Sequence, residues 1–541
     1  MSSTSFQNNS AMNEINHSLS LTESAKRPLN ILQNIGSFIG FAGLAVLLVS
    51  LANIYTKDQI DILLYGSLCA ISVGTIIYTI GTYKDKPAGI KNDYNWLAGL
   101  TSKGSSAWIA AIFITTFYVF LYWFPQYLGL GENGAANRGL VGFFDPLSEL
   151  LKGEGKLASQ WFMYGTLYTF AILIFGIKFI VKYRHNRYQV IRTISVMVFQ
   201  LGFAFILPAF LERMSLPYND FKNVWPLNYY FFDTWNVNGM LNAGNVGLFM
   251  LIFGIAMVLI ITPILTYFFG KRWYCSWVCG CGGLAETAGD SFRHLSDKSE
   301  NAWKVERWMI HTVLVISVLM TIAVIYNYRA QETQYLVTTE IFLGIVLFIS
   351  LFLTGAVVYN RNNWINKHNR IAFITGGAIL ILLLAFTAYS YFLKGANDLF
   401  IIQTYKIQQF YGFFIGAAFS GVIGVGFYPI MGSRVWCRFG CPMAALLGMQ
   451  QKFFSRFRIT TNGSQCISCG NCSTYCEMGI DVRAYAEKGQ DIVRASCVGC
   501  GICSAVCPRG VLKLENGPKT NQRASEKRAI FISEDEVGLI G

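Results

Sequence analysis

Up to about residue 431 the chain alternates long apolar runs with short polar breaks; beyond it the apolar runs stop. Crossing a hydrocarbon core of ~30 Å takes ~20 predominantly apolar residues. About ten stretches reach that length: 32–55, 60–82, 106–125, 161–183, 189–210, 245–269, 308–326, 335–359, 371–393 and 408–431. They predict a transmembrane domain of about ten helices over residues 31–432, preceded by a Ser- and Asn-rich segment, 1–30, expected to be disordered. That segment does not read as a cleavable signal, because no small-residue cleavage site follows it and the first apolar run is too long. A linker helix is expected over 433–455, a compact module over 456–515 and a disordered tail over 516–541. The expected fold class is an all-α polytopic membrane protein with a small α+β module at its C-terminus.

Charge supplies an orientation. Ten spans put both termini on one side, and the connections on that side hold nineteen Lys and Arg against nine on the other. The positive-inside rule then predicts both termini, and the C-terminal module with them, in the cytoplasm of a bacterial inner membrane. The 541 residues are 53% hydrophobic and only 13% charged, about half the charge of a soluble domain, which excludes a water-soluble enzyme built on one large core. The net charge of +13 divides into about +8 before Gly432 and +5 after it, so most of it orients helices, and no nucleic-acid partner is expected. On the predicted outer side the 211–244 loop gathers Trp225, Tyr229, Tyr230, Phe231, Phe232 and Trp235. Such a density suits an interfacial belt, with a docking surface or a quinol entrance as the alternatives.

Fourteen cysteines carry the chemistry. Cys466, Cys469, Cys472 and Cys476 stand in a C-x2-C-x2-C-x3-C run, and Cys497, Cys500, Cys503 and Cys507 repeat it before Pro508. The x2 gaps let successive thiolates wrap one face of a [4Fe-4S] cube. Disulfides do not suit a cytoplasmic module, and two complete four-cysteine runs do not match a zinc ribbon. Over 456–515 the chain resembles bacterial-type two-cluster ferredoxins, in which the fourth cysteine of each run serves the other cluster. The resemblance implies Cys466, Cys469, Cys472 and Cys507 on cluster 1, and Cys497, Cys500, Cys503 and Cys476 on cluster 2. One departure is Glu477, which follows Cys476 where such ferredoxins carry proline.

Five further cysteines lie at the ends of the sixth and tenth spans. Gly270, Arg272, Cys275, Cys279 and Leu284 recur as Gly432, Arg434, Cys437, Cys441 and Leu446 at an offset of 162, an internal repeat. Four thiols on one side could converge on a metal or redox centre, with Cys441 at the start of a helix that Pro442 begins. The first copy has Gly280 and an extra Cys281 where the second has Pro442 and Met443. Cys69 stands alone and reads as a small apolar residue.

C-x3-C-P motifs at span ends ahead of a two-cluster ferredoxin resemble the membrane polyferredoxins of the NosR, NapH and CcoG type. Members of that family are implicated in quinol-linked electron delivery to periplasmic reductases, or in copper handling during oxidase assembly. The resemblance therefore implies an electron-transfer component rather than a stand-alone enzyme, with no catalytic residue of its own. It implies two [4Fe-4S] clusters and a further Fe–S or copper centre at Cys275, Cys279, Cys281, Cys437 and Cys441. Its implied partners are membrane lipid, redox proteins on either side and quinol. Copper reduction by the C-x3-C thiols, which as soft ligands select Cu(I), is the alternative function. A redox-gated transporter is a third.

Overall fold

The computed structural model describes residues 29–84, 100–101, 103–131, 135–331, 338–359, 367–394, 404–517, 529–532 and 537–540. The segment expected to be disordered at the N-terminus falls almost wholly outside them.

Among the described residues nine helices are long and apolar enough to span a membrane. They are α1 (Ile31–Ala52), α2 (Ile60–Tyr83), α3 (Ser105–Trp123), α4 (Gln160–Lys182), α5 (Arg187–Arg213) and α6 (Gly244–Phe269). After a short helix, α7 (Gly280–Thr287), come α8 (Glu300–Tyr326), α9 (Glu340–Val358) and α10 (Ile374–Leu393). Polar caps set several starts. Asn30 and Gln33 form a reciprocal capping box on α1, and the hydroxyl of Ser159 accepts from the Phe162 amide at 3.1 Å on α4. In α4 and α8, 39% of the most apolar window is buried, against 11% in α6, α9 and α10, so α4 and α8 are central and the others face lipid.

The tenth expected span is helical but broken. It begins as α11 (Thr404–Tyr411), widens into π-type turns over Gly412–Ile423 and ends in a short turn at Tyr428–Met431. Wide turns of this kind tend to occur at functional sites. The expected linker helix is α12 (Pro442–Phe454), with Cys441 as its N-cap.

The C-terminal module is a small α+β unit. Strand β1 (Arg458–Thr461) pairs antiparallel with β2 (Leu512–Glu515), Arg458 opposite Glu515, and Ile459 also bridges Ile492. The cysteine runs lie between, each containing a single helical turn entered through a left-handed glycine, Gly470 (φ 77°) and Gly501 (φ 76°), a conformation open to glycine without strain. In the tail expected to be disordered, β3 (Ala529–Ile532) pairs with β4 (Val537–Ile540), both short β-prone apolar runs. One continuous core joins the module to the membrane helices, running from Ile459 and Val498 through Cys275 and Cys441 to Tyr411.

Candidate metal centres

The two membrane motifs sit deeper than the ends of their spans. The first climbs α5 and returns. The Trp277 carbonyl accepts from Ser195 at 3.0 Å, Gly280 faces Gln200, Gly283 faces Val196, and Glu286 pairs with Arg192. Gln200 lies 13 residues past Arg187 and Tyr168 lies 14 before Lys182, both roughly 20 Å from the α4–α5 turn at 1.5 Å per residue. A Cβ at Gly280 would stand 2.6 Å from Gln200 Oε1, 2.6 Å from Lys222 Nζ and 3.2 Å from Tyr168 Cε1. The apex of the loop is therefore near mid-depth, and glycine is what the close approach permits there.

The second motif makes the same excursion. The Gln451 side chain near the end of α12 accepts from the Lys271 amide at 2.8 Å, level with the end of α6. Pro442, nine residues back along α12, is then roughly 14 Å deeper. At the helix start the Ala444 amide donates to Cys441 Sγ at 3.4 Å. Cys275, Cys279, Cys437 and Cys441 are all buried in the same core. Spacing alone put these residues at the membrane edge. The structure packs the two motifs together in one core, set back from the helix ends that they follow.

A cavity of about 1190 Å³ reaches Cys279 and Cys281 from the side opposite the module. Its outer wall comes from Trp123, Trp161 and Glu212 at the far ends of α3, α4 and α5. The aromatic 211–244 loop does not lie flat as a belt. It folds inward, Tyr229, Tyr230 and Trp235 lining the cavity and Lys222 reaching Gly280, while Tyr274 donates its hydroxyl to the Lys222 carbonyl at 2.7 Å.

In the module, Cys466, Cys469, Cys472 and Cys507 line one pocket, and Cys503 lies within electrostatic reach of Cys500, Cys497, Cys476 and Cys472. Burial pushes the Cys472 and Cys500 thiols up to about 12 and Cys497 up to about 11, and drives Cys503 well above the usual thiol range. A metal centre would take the place of the protons on these buried thiols. The donor set fits iron–sulfur clusters.

The run 497–503 is clamped onto the membrane region. Tyr188 donates to the Gly499 carbonyl, Gln189 to that of Cys500 and Gln451 to that of Cys497, each at 2.8 Å. The Ser276 hydroxyl, next to Cys275, lies 2.9 Å from the Val498 carbonyl and 3.1 Å from Glu286 Oε1. The other run faces outward, with Cys469 exposed.

Beneath the clamp lies a buried ion-pair network. Glu477 takes Arg293 at 2.7 Å and Arg434 at 3.1 Å, and Glu286 takes Arg434 at 2.5 Å and Arg192. Burial raises the carboxyl of Glu477, but Arg293 and Arg434 outweigh it and hold the group below the usual carboxylate range. Ligand atoms of Glu286, Glu477 and Cys500 lie within 4.8 Å of one another, a spacing a metal could use. The guanidiniums already answer both carboxylates, so the group reads as structural. Removing one partner of such a buried pair leaves an uncompensated charge, at ~3–5 kcal/mol. Sequence reasoning passed over Gln451, Gln189, Lys222 and this network; only Glu477 in the proline position signalled it.

A 4Fe-4S dicluster domain model matches residues 458–508, and a 4Fe-4S binding domain model matches twice, at 249–299 and 412–460. The double match falls on the two membrane motifs. Among curated proteins the chain is similar to YccM of Escherichia coli (strain K12), named for a role in electron transport, at 22% identity over 227 residues. That match covers 42% of this chain and 47% of YccM, so the chain spans about half the length of the curated relative it matches. No solved structure matches the chain. The matched segments thus carry 4Fe-4S binding domains, on a chain in which nine helices among the described residues are long and apolar enough to span a membrane.

Proposed function

We propose that the protein transfers electrons across the bacterial inner membrane, from the module on the cytoplasmic face toward the cavity on the other, or in reverse. In this reading Cys466, Cys469, Cys472 and Cys507 hold one [4Fe-4S] cluster and Cys497, Cys500, Cys503 and Cys476 the second. Cys275, Cys279, Cys437 and Cys441 hold a third, thiolate-ligated centre at mid-depth. Bound clusters supply one-electron carriers whose potentials follow net charge, hydrogen bonding and exposure. The chain's own residues fix the spacing: Tyr188, Gln189 and Gln451 seat the second cysteine run, and Ser276 ties it to Cys275. The observation that carries the proposal is this contact, with Cys275 one residue from a hydroxyl bonded to the Val498 carbonyl. The aromatic cavity beyond suits a quinol at the far end, with Asp233 and Lys222 among its lining groups.

Iron, copper and labile sulfide per chain, measured on anaerobically prepared protein with EPR of the reduced form, test the reading. About ten to twelve irons with matching sulfide are expected. About eight irons would leave the mid-depth thiols without a cluster; eight with one copper would turn the site to copper handling.

A further inference from the structure

We propose that Glu477 and Arg434 are positioning residues that seat the ferredoxin module on the membrane region and set the potential of its inner cluster. The inference rests on the cluster assignment above and extends it to groups that bind no metal.

The geometry is specific. Glu477 adjoins Cys476 and is 1% exposed. Its carboxylate takes two guanidiniums from outside the module, Arg293 at 2.7 Å and Arg434 at 3.1 Å. Arg434 in turn donates to the Cys275 carbonyl at 3.3 Å and lies 3.6 Å from Cys437 Sγ. One guanidinium therefore touches the residue beside an inner-cluster cysteine and both cysteine motifs of the membrane region. The Ser296 hydroxyl adds a bond to the Glu477 carbonyl oxygen at 2.8 Å, fixing the backbone as well.

The module carries its own reference. At the matching position of the other run stands Pro508, neutral and exposed, beside the outer cluster's Cys507. The charges near that cluster, such as Arg483, which is 48% exposed, are screened by water. Around the inner cluster three arginines and two glutamates are buried, where screening is weak and each charge acts at close range. Cluster potential depends on the charge around it, so removing one buried charge should move the inner cluster and leave the outer one in place.

The test is an EPR-monitored redox titration of the full-length protein in detergent, with a Cys469→Ala variant to identify the outer-cluster signal. Glu477→Gln deletes a negative charge and should raise the inner midpoint by about 59 mV or more, a tenfold change in its equilibrium with the outer cluster. Arg434→Gln should lower it by a comparable amount. A residue that merely holds the module in place would shift both variants the same way, through solvent entry. Shifts of equal sign, or no shift with the wild-type iron content retained, overturn the proposal. If Glu477→Gln loses iron, the sign from Arg434→Gln decides. A wild type lacking two cluster signals would instead break the cluster assignment itself.

Discussion

The two copies of the membrane motif share a backbone excursion and differ in what they do with it. Each runs from a glycine with positive φ, Gly270 or Gly432, through two cysteines to a short helix capped by the second. In the first copy Arg272 stacks over Phe457 of the module and Tyr188 of α5, and Gly280 opens the helix start to Lys222, Gln200 and the cavity. In the second copy Arg434 is buried among carboxylates and cysteine, and Pro442 stands at the helix start, on the cavity wall, where the first copy has Gly280. One duplicated scaffold thus gives a first half whose Gly280 admits Lys222 and Gln200 and a second half whose arginine joins the buried charge network. A repeat fixes where thiols can converge; what each half touches comes from the residues that changed.

The comparison breaks most sharply if both halves do not contribute ligands. A Cys275→Ala, Cys437→Ala double variant should fall to about eight irons per chain, losing the excess over the ferredoxin clusters and nothing more. An unchanged count would separate the two motifs. Gly280→Pro, which gives the first copy the residue of the second, forces bulk against Gln200 and should destabilise the protein by ~1–3 kcal/mol in thermal unfolding. The reverse change, Pro442→Gly, should cost ~1 kcal/mol or less, mainly through the freer unfolded chain. Arg272→Ala removes stacking worth ~1 kcal/mol. Hydrogen exchange over 497–503 should then quicken roughly fivefold, since that energy is about a fivefold change in an equilibrium. Cys281→Ser, at the position with no counterpart among the repeated cysteines, should leave iron content unchanged.

Much of this architecture is legible in the sequence, and what is not has a common cause. Apolar length predicts nine spans to within a few residues at most ends, because burying backbone in lipid demands a continuous helix. The ferredoxin module follows from thiol spacing, a local property, and the α12 start from Cys441-Pro442. Depth is different. Nothing in Cys275 to Cys281 says that the segment turns back along α5, because that depends on Ser195, Gln200 and Lys222, far away along the chain. Glu477 shows the same limit. In sequence it is a missing proline; its meaning lies in Arg293, 184 positions earlier. The broken tenth span also escapes a hydropathy reading, since π-type turns and an unbroken helix are equally apolar.

The central claim is that the cysteine motifs lie at the inner end of a cavity open to the face opposite the ferredoxin module. Side-specific alkylation of Cys281 tests it most directly. In a Cys69→Ser background, oriented vesicles would be treated with a membrane-impermeant maleimide and the Cys281 peptide followed by mass spectrometry. The account predicts labelling from the face of the 211–244 loop and protection from the module's face. Labelling from the module's face alone would return the motif to the membrane edge and contradict it.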